Sequence, residues 1–220
     1  MVNSEGSVSL AVFDRMALYA RKLYDMKAEG YAAVSSVALA DALSLNPSLV
    51  KKDISFAIVK GGKPKVGYNI DELIEDIENF LGYNNTKDAV LVGVGKLGQA
   101  LMGYQGFEKY GLNIIAGFDV DENIVLQEIN GKKIIPVRKL ESAVRKLNIK
   151  MAILATPQEQ AQAVTDILVR AEIRAIWNFT PAHIKTPDTV AVKNEDMAVS
   201  LAVLSQQLKE ILKKESLDSG

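Results

Sequence analysis

Residues 88–119 read DAVLVGVGKLGQALMGYQGFEKYGLNIIAGFD, and the architecture of the chain follows from them. Asp88 to Val92 reads as a buried strand, and it runs straight into Gly93, Val94, Gly95, Lys96, Leu97 and Gly98 before a helical stretch from Gln99 to Tyr110. This is G-x-G-x-x-G between a strand and a helix, the setting in which it binds a dinucleotide. Gly93 permits the tight turn, Gly95 lets backbone approach a pyrophosphate, and Gly98 lets helix pack closely on strand. Leu112 to Phe118 is a second strand ending at Asp119, 21 residues beyond Gly98, where a ribose-binding carboxylate belongs. Asp119 is expected to accept from the two adenine-ribose hydroxyls, with Val120 beside it. Asp121 adds negative charge where a 2′-phosphate would sit, so NADH and NAD+ are favoured over their phosphorylated forms.

Strands and helices continue to alternate: strand Lys133 to Val137, helix Arg138 to Leu147, strand Met151 to Ala155, helix Pro157 to Ala171, strand Ala175 to Phe179. The expected fold is a doubly wound parallel α/β sheet. Thr156, Pro157, Asn178, Phe179 and Thr180 follow the carboxyl ends of later strands, where ligands bind in such sheets, and are expected to face the nicotinamide.

Upstream the texture differs. A polar run from Gly82 to Thr86 marks a boundary, before which apolar residues recur at helical spacing. A helix over Ala11 to Glu29 would bury Phe13, Met16, Ala20 and Leu23. A second starts after Ser35 or Ser36 and buries Leu39, Ala40 and Leu43. A third starts at Asn46 and Pro47, with Leu49, Val50, Ile54 and Ala57 inward and Asp53 at the edge of that face. Ser48, Lys51, Lys52 and Ser55 share its outward strip. A hairpin should follow, Ile58 and Val59 in one strand and Val66 and Tyr68 in the other, carrying Lys60, Lys63 and Lys65. A final helix is capped by Asn69. Pro47 to Tyr68 holds five lysines against one aspartate. Three helices and a basic hairpin form the order of a winged helix-turn-helix, in which a polar and cationic helix enters the major groove. Candidate DNA contacts are Ser35, Asn46, Ser48, Lys51, Lys52, Ser55, Lys60, Lys63 and Lys65.

The division expected is 1–83 as a winged helix, 84–194 as a dinucleotide-binding domain and 195–220 as a dimerisation helix and tail. In the last, Met197, Leu201, Leu204, Leu208 and Ile211 alternate at spacings of four and three, an a/d seam suited to a second copy. The whole chain of 220 residues carries 26 basic and 27 acidic side chains, a net charge of −1, so any polyanion site must be a local patch. Cysteine is absent and His183 is the single histidine, which excludes disulfides, thiolate metal sites and His-rich zinc centres. No apolar run spans a bilayer and no signal segment opens the chain, so a cytoplasmic protein without membrane or metal partners is expected. A dehydrogenase would need a substrate site and a proton donor beside the nicotinamide. The only Tyr-x-x-x-Lys, Tyr83 to Lys87, precedes the first sheet strand, and His183 is a weak candidate. No catalytic residue is assigned. An NAD-dependent oxidoreductase with an accessory helical domain, and a nucleotide-binding adaptor that meets protein through its hairpin, stay open as alternatives.

From Arg15 to about Leu208 the residues resemble the Rex family of redox-sensing transcriptional repressors. The likeness is carried by Arg15-x-x-x-Tyr19-x-Arg21-x-Leu23, Ser35-Ser36-x-x-Leu39-Ala40, Val50-Lys51-Lys52-Asp53-Ile54-Ser55 and Val66-Gly67-Tyr68-Asn69. It continues in Gly93 to Gly98, Tyr104-Gln105-Gly106-Phe107, Phe118-Asp119-Val120-Asp121, Asn178-Phe179-Thr180-Pro181 and Asn194-Glu195-Asp196. The resemblance implies a homodimer on double-stranded operator DNA that is released when NADH binds, with NAD+ competing, and terminal helices exchanged between subunits. It also implies that Tyr104 lies near the cofactor and couples it to a pair between Arg21 and Asp196 of the two subunits. The chain departs from the family at Lys51, where arginine is usual, at Ser55-Phe56-Ala57-Ile58, at Pro64-Lys65 and at Gln105.

Overall fold

The computed structural model describes residues 8–58, 67–83 and 87–218. The chain divides into two compact units, Met1–Thr86 with Glu108–Gly111, and Lys87–Phe107 with Leu112–Gly220.

The first unit packs α1 (Leu10–Ala28), α2 (Ser36–Ala42), α3 (Pro47–Ala57) and α4 (Ile70–Leu81) around one core, with strands β1 (Ala33–Val34) and β2 (Tyr68–Asn69) paired antiparallel. Its helix starts are local chemistry. The Ser35 hydroxyl accepts from the Ala38 N–H at 3.0 Å, Asn46 Oδ1 from Ser48 N–H at 2.8 Å, and Asn69 Oδ1 from Glu72 N–H at 3.1 Å. Each satisfies one of the amide groups that a helix start leaves without an intrahelical partner. Met16, Tyr19 and Leu23 of α1 bury completely against Leu39, Val50, Ile54 and Ile77.

Three expectations change here. Phe13 is at the rim, 36% exposed, its ring stacked on Phe80 at 4.9 Å. Asp53 is not at an edge but inside, 1% exposed. Ile58 closes α3, its N–H bonded to Ile54 O, and Tyr68 pairs with Val34. The rest of the expected hairpin, positions 59–66 with Lys60, Lys63 and Lys65, lies outside the described residues.

The second unit is a seven-stranded sheet in the order β5-β6-β4-β3-β7-β8-β9: β3 (Lys87–Val92), β4 (Leu112–Asp119), β5 (Glu128–Ile129), β6 (Lys132–Pro136), β7 (Met151–Leu154), β8 (Ala175–Asn178) and β9 (Ala191–Asn194). Alternate residues of β3 bury on opposite faces. Val90 and Val92 meet Leu140, Val144 and Leu168 from α6 (Leu140–Lys146) and α7 (Gln158–Arg170), while Ala89 and Leu91 meet Val94 and Met102. From β3 the chain winds outward through β4 and β6, then returns to β7 and winds the other way. The strand order thus reverses between β3 and β7, the crevice in which ligands bind in open α/β sheets.

The sheet is parallel except for β5, a two-residue antiparallel edge on β6. Neither β5 nor β9 stands out by periodicity: β5 has two residues, and β9 is largely exposed. The helix expected over Gln99 to Tyr110 is two pieces: α5 (Lys96–Met102) and a 3₁₀ segment Gln105–Tyr110, split at Gly103. The terminal helix α8 (Met197–Asp218) starts two residues later than expected, because Asp196 caps it, its Oδ1 accepting from Ala198 N–H at 2.8 Å. Leu201, Leu204, Leu208 and Ile211 are each more than half exposed on the single chain. Among the described residues no helix is long and apolar enough to cross a membrane, and no group of three or more ligating side chains could hold a metal ion.

Candidate cofactor cleft and nucleic-acid face

A cleft of about 840 Å³ opens at the β3/β7 crevice. Its floor is the glycine turn. Gly93 has φ +95°, and a Cβ there would sit 2.6 Å from the Ala155 carbonyl, so only glycine fits. A Cβ on Gly98 would lie 2.0 Å from Gly93 O. Gly95 differs: its φ is −69°, a Cβ would meet nothing within 4 Å, and it caps α5 without a side chain. Space is therefore kept open over the turn, at the first-turn amides of α5. A pyrophosphate needs that arrangement.

Asp119, at the end of β4, closes the turn from the side. Its Oδ2 accepts from Val94 N–H at 2.6 Å and its Oδ1 from Val120 and Asp121 N–H at 2.7 and 2.9 Å. A carboxylate offers about four acceptor sites, so roughly one stays free for a ribose hydroxyl where two such bonds were expected. Asp121 accepts from the amide and side chain of Asn123. Beyond Asp119 the wall is apolar: Val120, Ile124, Val137, Val164 and Ile167, a surface for a flat base. Thr156, at the end of β7, is 9% exposed, and its Oγ1 is the one buried side-chain polar atom without a hydrogen-bond partner among the described residues. It lines the cleft. A buried hydroxyl left unpaired is costly, and a polar ligand would satisfy it.

Gly93, Val94, Gly95, Lys96, Leu97, Asp119, Val120, Thr156 and Pro157 all line this cleft, with Gly98 packed beneath it. Gln99, Ile124, Val137, Gln160, Ala163, Val164 and Ile167 line it too and were not anticipated. The spacing of positions 160, 163, 164 and 167 along α7 is a helical stripe that could have been found.

Tyr104, Asn178, Phe179 and Thr180 form a second neighbourhood rather than part of that lining. Tyr104 is 56% exposed, its ring edge-on to Phe107 at 4.8 Å; Phe107 meets Trp177, and Trp177 meets Phe179. Asn178 is fully buried and saturated. Its Nδ2 donates to Ala182 O and Asn194 Oδ1, and its Oδ1 accepts from the Thr180 N–H and hydroxyl. Trp177 Nε1 donates to Glu195 at 3.0 Å, next to the exposed Asp196. The loop after β8 is thereby held to the segment that begins α8. His183 is exposed in that loop.

In the first unit, α2 and α3 form a helix-turn-helix pair. Ser48, Lys51, Lys52 and Ser55 are exposed on α3, as are the caps Ser35 and Asn46. Ser55 Oγ donates to Lys52 O at 2.6 Å. Beneath this strip the Asp53 carboxylate accepts from Arg15 Nε at 2.5 Å, Arg15 Nη2 at 2.9 Å and the Tyr19 hydroxyl at 2.8 Å. Bonding to Asp53 keeps the Arg15 guanidinium charged well above its ordinary range. Burial first, and then Asp53, push the Tyr19 hydroxyl up. Tyr19 therefore remains a neutral donor at all physiological pH. Arg21 is exposed on α1.

Two families match the sequence: the CoA binding domain over residues 84–182, and the putative DNA-binding protein N-terminus over residues 7–55. A redox-sensing transcriptional repressor Rex of Treponema denticola is 39% identical over 190 residues, covering 86% of this chain and 90% of that protein. The crystal structure of RSP in complex with beta-NAD+ and operator DNA superposes with a TM-score of 0.88 at 32% identity, covering 97% of this chain and 98% of RSP. RSP in complex with beta-NADH gives 0.86 at 32% identity, with 96% and 98% covered. Likeness of this extent takes in the helix-turn-helix unit and the dinucleotide cleft together, and the chain belongs to the Rex family of redox-sensing transcriptional repressors.

Proposed function

We propose that the chain represses transcription by binding operator DNA as a homodimer and leaves it when NADH occupies the cleft, so that it reads the NADH/NAD+ ratio. The observation that carries this reading is that one chain holds a glycine-floored cleft with an unpaired buried hydroxyl and an exposed strip of lysines and serines on α3. Residues 1–83 form the DNA-binding part, 84–194 the cofactor part and 195–220 the dimerisation element. On this reading it is a regulator rather than an enzyme, and it works in the cytoplasm.

Gly93 to Gly98 hold the pyrophosphate, Asp119 and Val120 the adenine ribose, and Thr156 and Pro157 the nicotinamide half. Phe179 and Tyr104 complete the nicotinamide side, and Asn178 and Thr180, bonded to each other beneath, hold that loop in place. The cofactor itself supplies only a ring that is a flat cation when oxidised and neutral when reduced. A ligand shifts a two-state equilibrium only through its difference in affinity for the two states, so discrimination belongs at that ring. Asp119 and the glycines bind both redox forms alike. A coupling of about 1–3 kcal/mol changes DNA affinity roughly 5–150-fold. The exposed apolar stripe of α8 is buried against a second copy, which a two-fold DNA reader requires. Tyr104 couples the ring to an Arg21–Asp196 pair across the dimer.

On DNA, Ser48, Lys51, Lys52 and Ser55 face the groove, Ser35 and Asn46 flank it, and Lys60, Lys63 and Lys65 neutralise phosphates. A duplex enriched from a randomised library by the wild-type protein tests this by fluorescence anisotropy at several salt concentrations. Lys51→Ala and Lys52→Ala should each weaken binding and reduce the salt slope by about 1. No enrichment by the wild type overturns the reading, and an unchanged slope removes that lysine from the interface.

A further inference from the structure

Asp53 is a carboxylate on the inward face of α3, flanked by the buried Val50 and Ile54. Nothing in a hydrophobic core calls for it, and a buried carboxylate persists only when paired and hydrogen-bonded. Its three bonds all come from α1, where Arg15 and Tyr19 stand one turn apart on the same face. The two guanidinium bonds are bidentate, so they set the plane of the carboxylate as well as its position. The third, from the Tyr19 hydroxyl, lies wholly inside.

These bonds have a consequence on the other side of the helix. At 3.6 residues per turn, Lys51, Ser55 and Ser48 point about 140–160° away from Asp53 around the α3 axis. Whatever holds Asp53 therefore aims the exposed strip. Apolar contacts are non-directional and tolerate small rotations; a bidentate ionic pair does not. Side-chain tips lie about 6 Å from a helix axis, so a rotation of about 20° moves them about 2 Å. That displacement breaks a hydrogen bond to a base edge, while a flexible lysine still reaches a phosphate.

We infer that Arg15 and Tyr19 are positioning residues for DNA recognition, acting through Asp53 to set the rotation of α3 and hence which bases its outer strip reads. This rests on the proposed DNA-binding function. It predicts a separation that a purely structural role does not: selectivity depends on the clasp, and general affinity for DNA does not.

The full-length triple variant Arg15→Met, Tyr19→Phe, Asp53→Leu replaces the clasp with apolar side chains of similar size, a change that is often neutral or stabilising for a buried ion pair. The probes are the library-selected duplex and the same duplex with its sequence scrambled. The variant should keep its affinity for the scrambled duplex and its salt slope, while its preference for the selected duplex falls tenfold or more, the worth of about one base contact. Arg15→Lys keeps the charge but loses the fork, and serves if the triple variant does not fold; its preference should fall at least threefold. A wild type without preference overturns the function and this inference together. A selective wild type with an equally selective folded variant overturns the clasp alone.

Discussion

Gly98→Ala should abolish measurable NADH binding and lower the melting temperature, whereas Gly95→Ala should cost at least tenfold in NADH affinity at an unchanged or slightly raised melting temperature. The two glycines stand three residues apart and differ in what a methyl group would meet. At Gly98 it would press on the Gly93 carbonyl at 2.0 Å, so the helix must lift off the turn; overpacking of this kind costs about 1–3 kcal/mol or more. At Gly95 the backbone already has a conformation open to any residue and the methyl meets no protein atom. Replacing glycine where the conformation fits restricts the unfolded chain and stabilises by about 0.4–1 kcal/mol, which offsets the poorer N-cap that alanine makes for α5. The added carbon would then occupy only the space reserved for the pyrophosphate. Calorimetric melting and NADH titration of both variants check this. An unchanged affinity in Gly95→Ala would move the pyrophosphate elsewhere.

The second large effect is at Asp53→Ala, which should destabilise the helix-turn-helix unit by about 3 kcal/mol while leaving NADH affinity intact. The substitution strands Arg15, whose side chain is only 23% exposed, and removes the acceptor of the fully buried Tyr19 hydroxyl. Breaking a buried pair from one side costs about 3–5 kcal/mol, and the partial access of Arg15 to water places this case near 3. Against a typical domain stability of about 5–15 kcal/mol that is a large share. Hydrogen exchange should show protection in α1 to α4 lowered by about a hundredfold, with protection in the sheet kept. The apolar triple substitution at the same three positions should restore that protection, because it leaves no charge behind.

What was legible in the sequence was what the backbone dictates locally. The glycine turn, the strand before it and the acid at Asp119 can be read because each glycine answers to a constraint within a few residues or across one strand. Helix caps at Ser35, Asn46 and Asn69 were legible for the same reason. The burial of Asp53 does not show in the sequence, because its partners stand 34 and 38 residues upstream and no local period announces them. Sequence alone therefore places a charged residue at such an inward position at the edge of the face. The sequence shows Asp119 as a ribose acceptor but not that three backbone amides already occupy it, since those bonds arise only when β4 meets the turn. The adenine wall on α7 and the saturation of Asn178 are likewise products of tertiary contact. β5 has too few residues for alternation to show, and β9, as short as β7 and β8, is largely exposed and carries no apolar run.

Redox sensing by DNA release stands or falls on the anisotropy of a labelled, library-selected duplex, bound by the wild-type protein and titrated separately with NADH and with NAD+. NADH should lower duplex affinity about fivefold or more, and NAD+ should leave the complex in place. Equal responses to the two forms, or none to either, would contradict it.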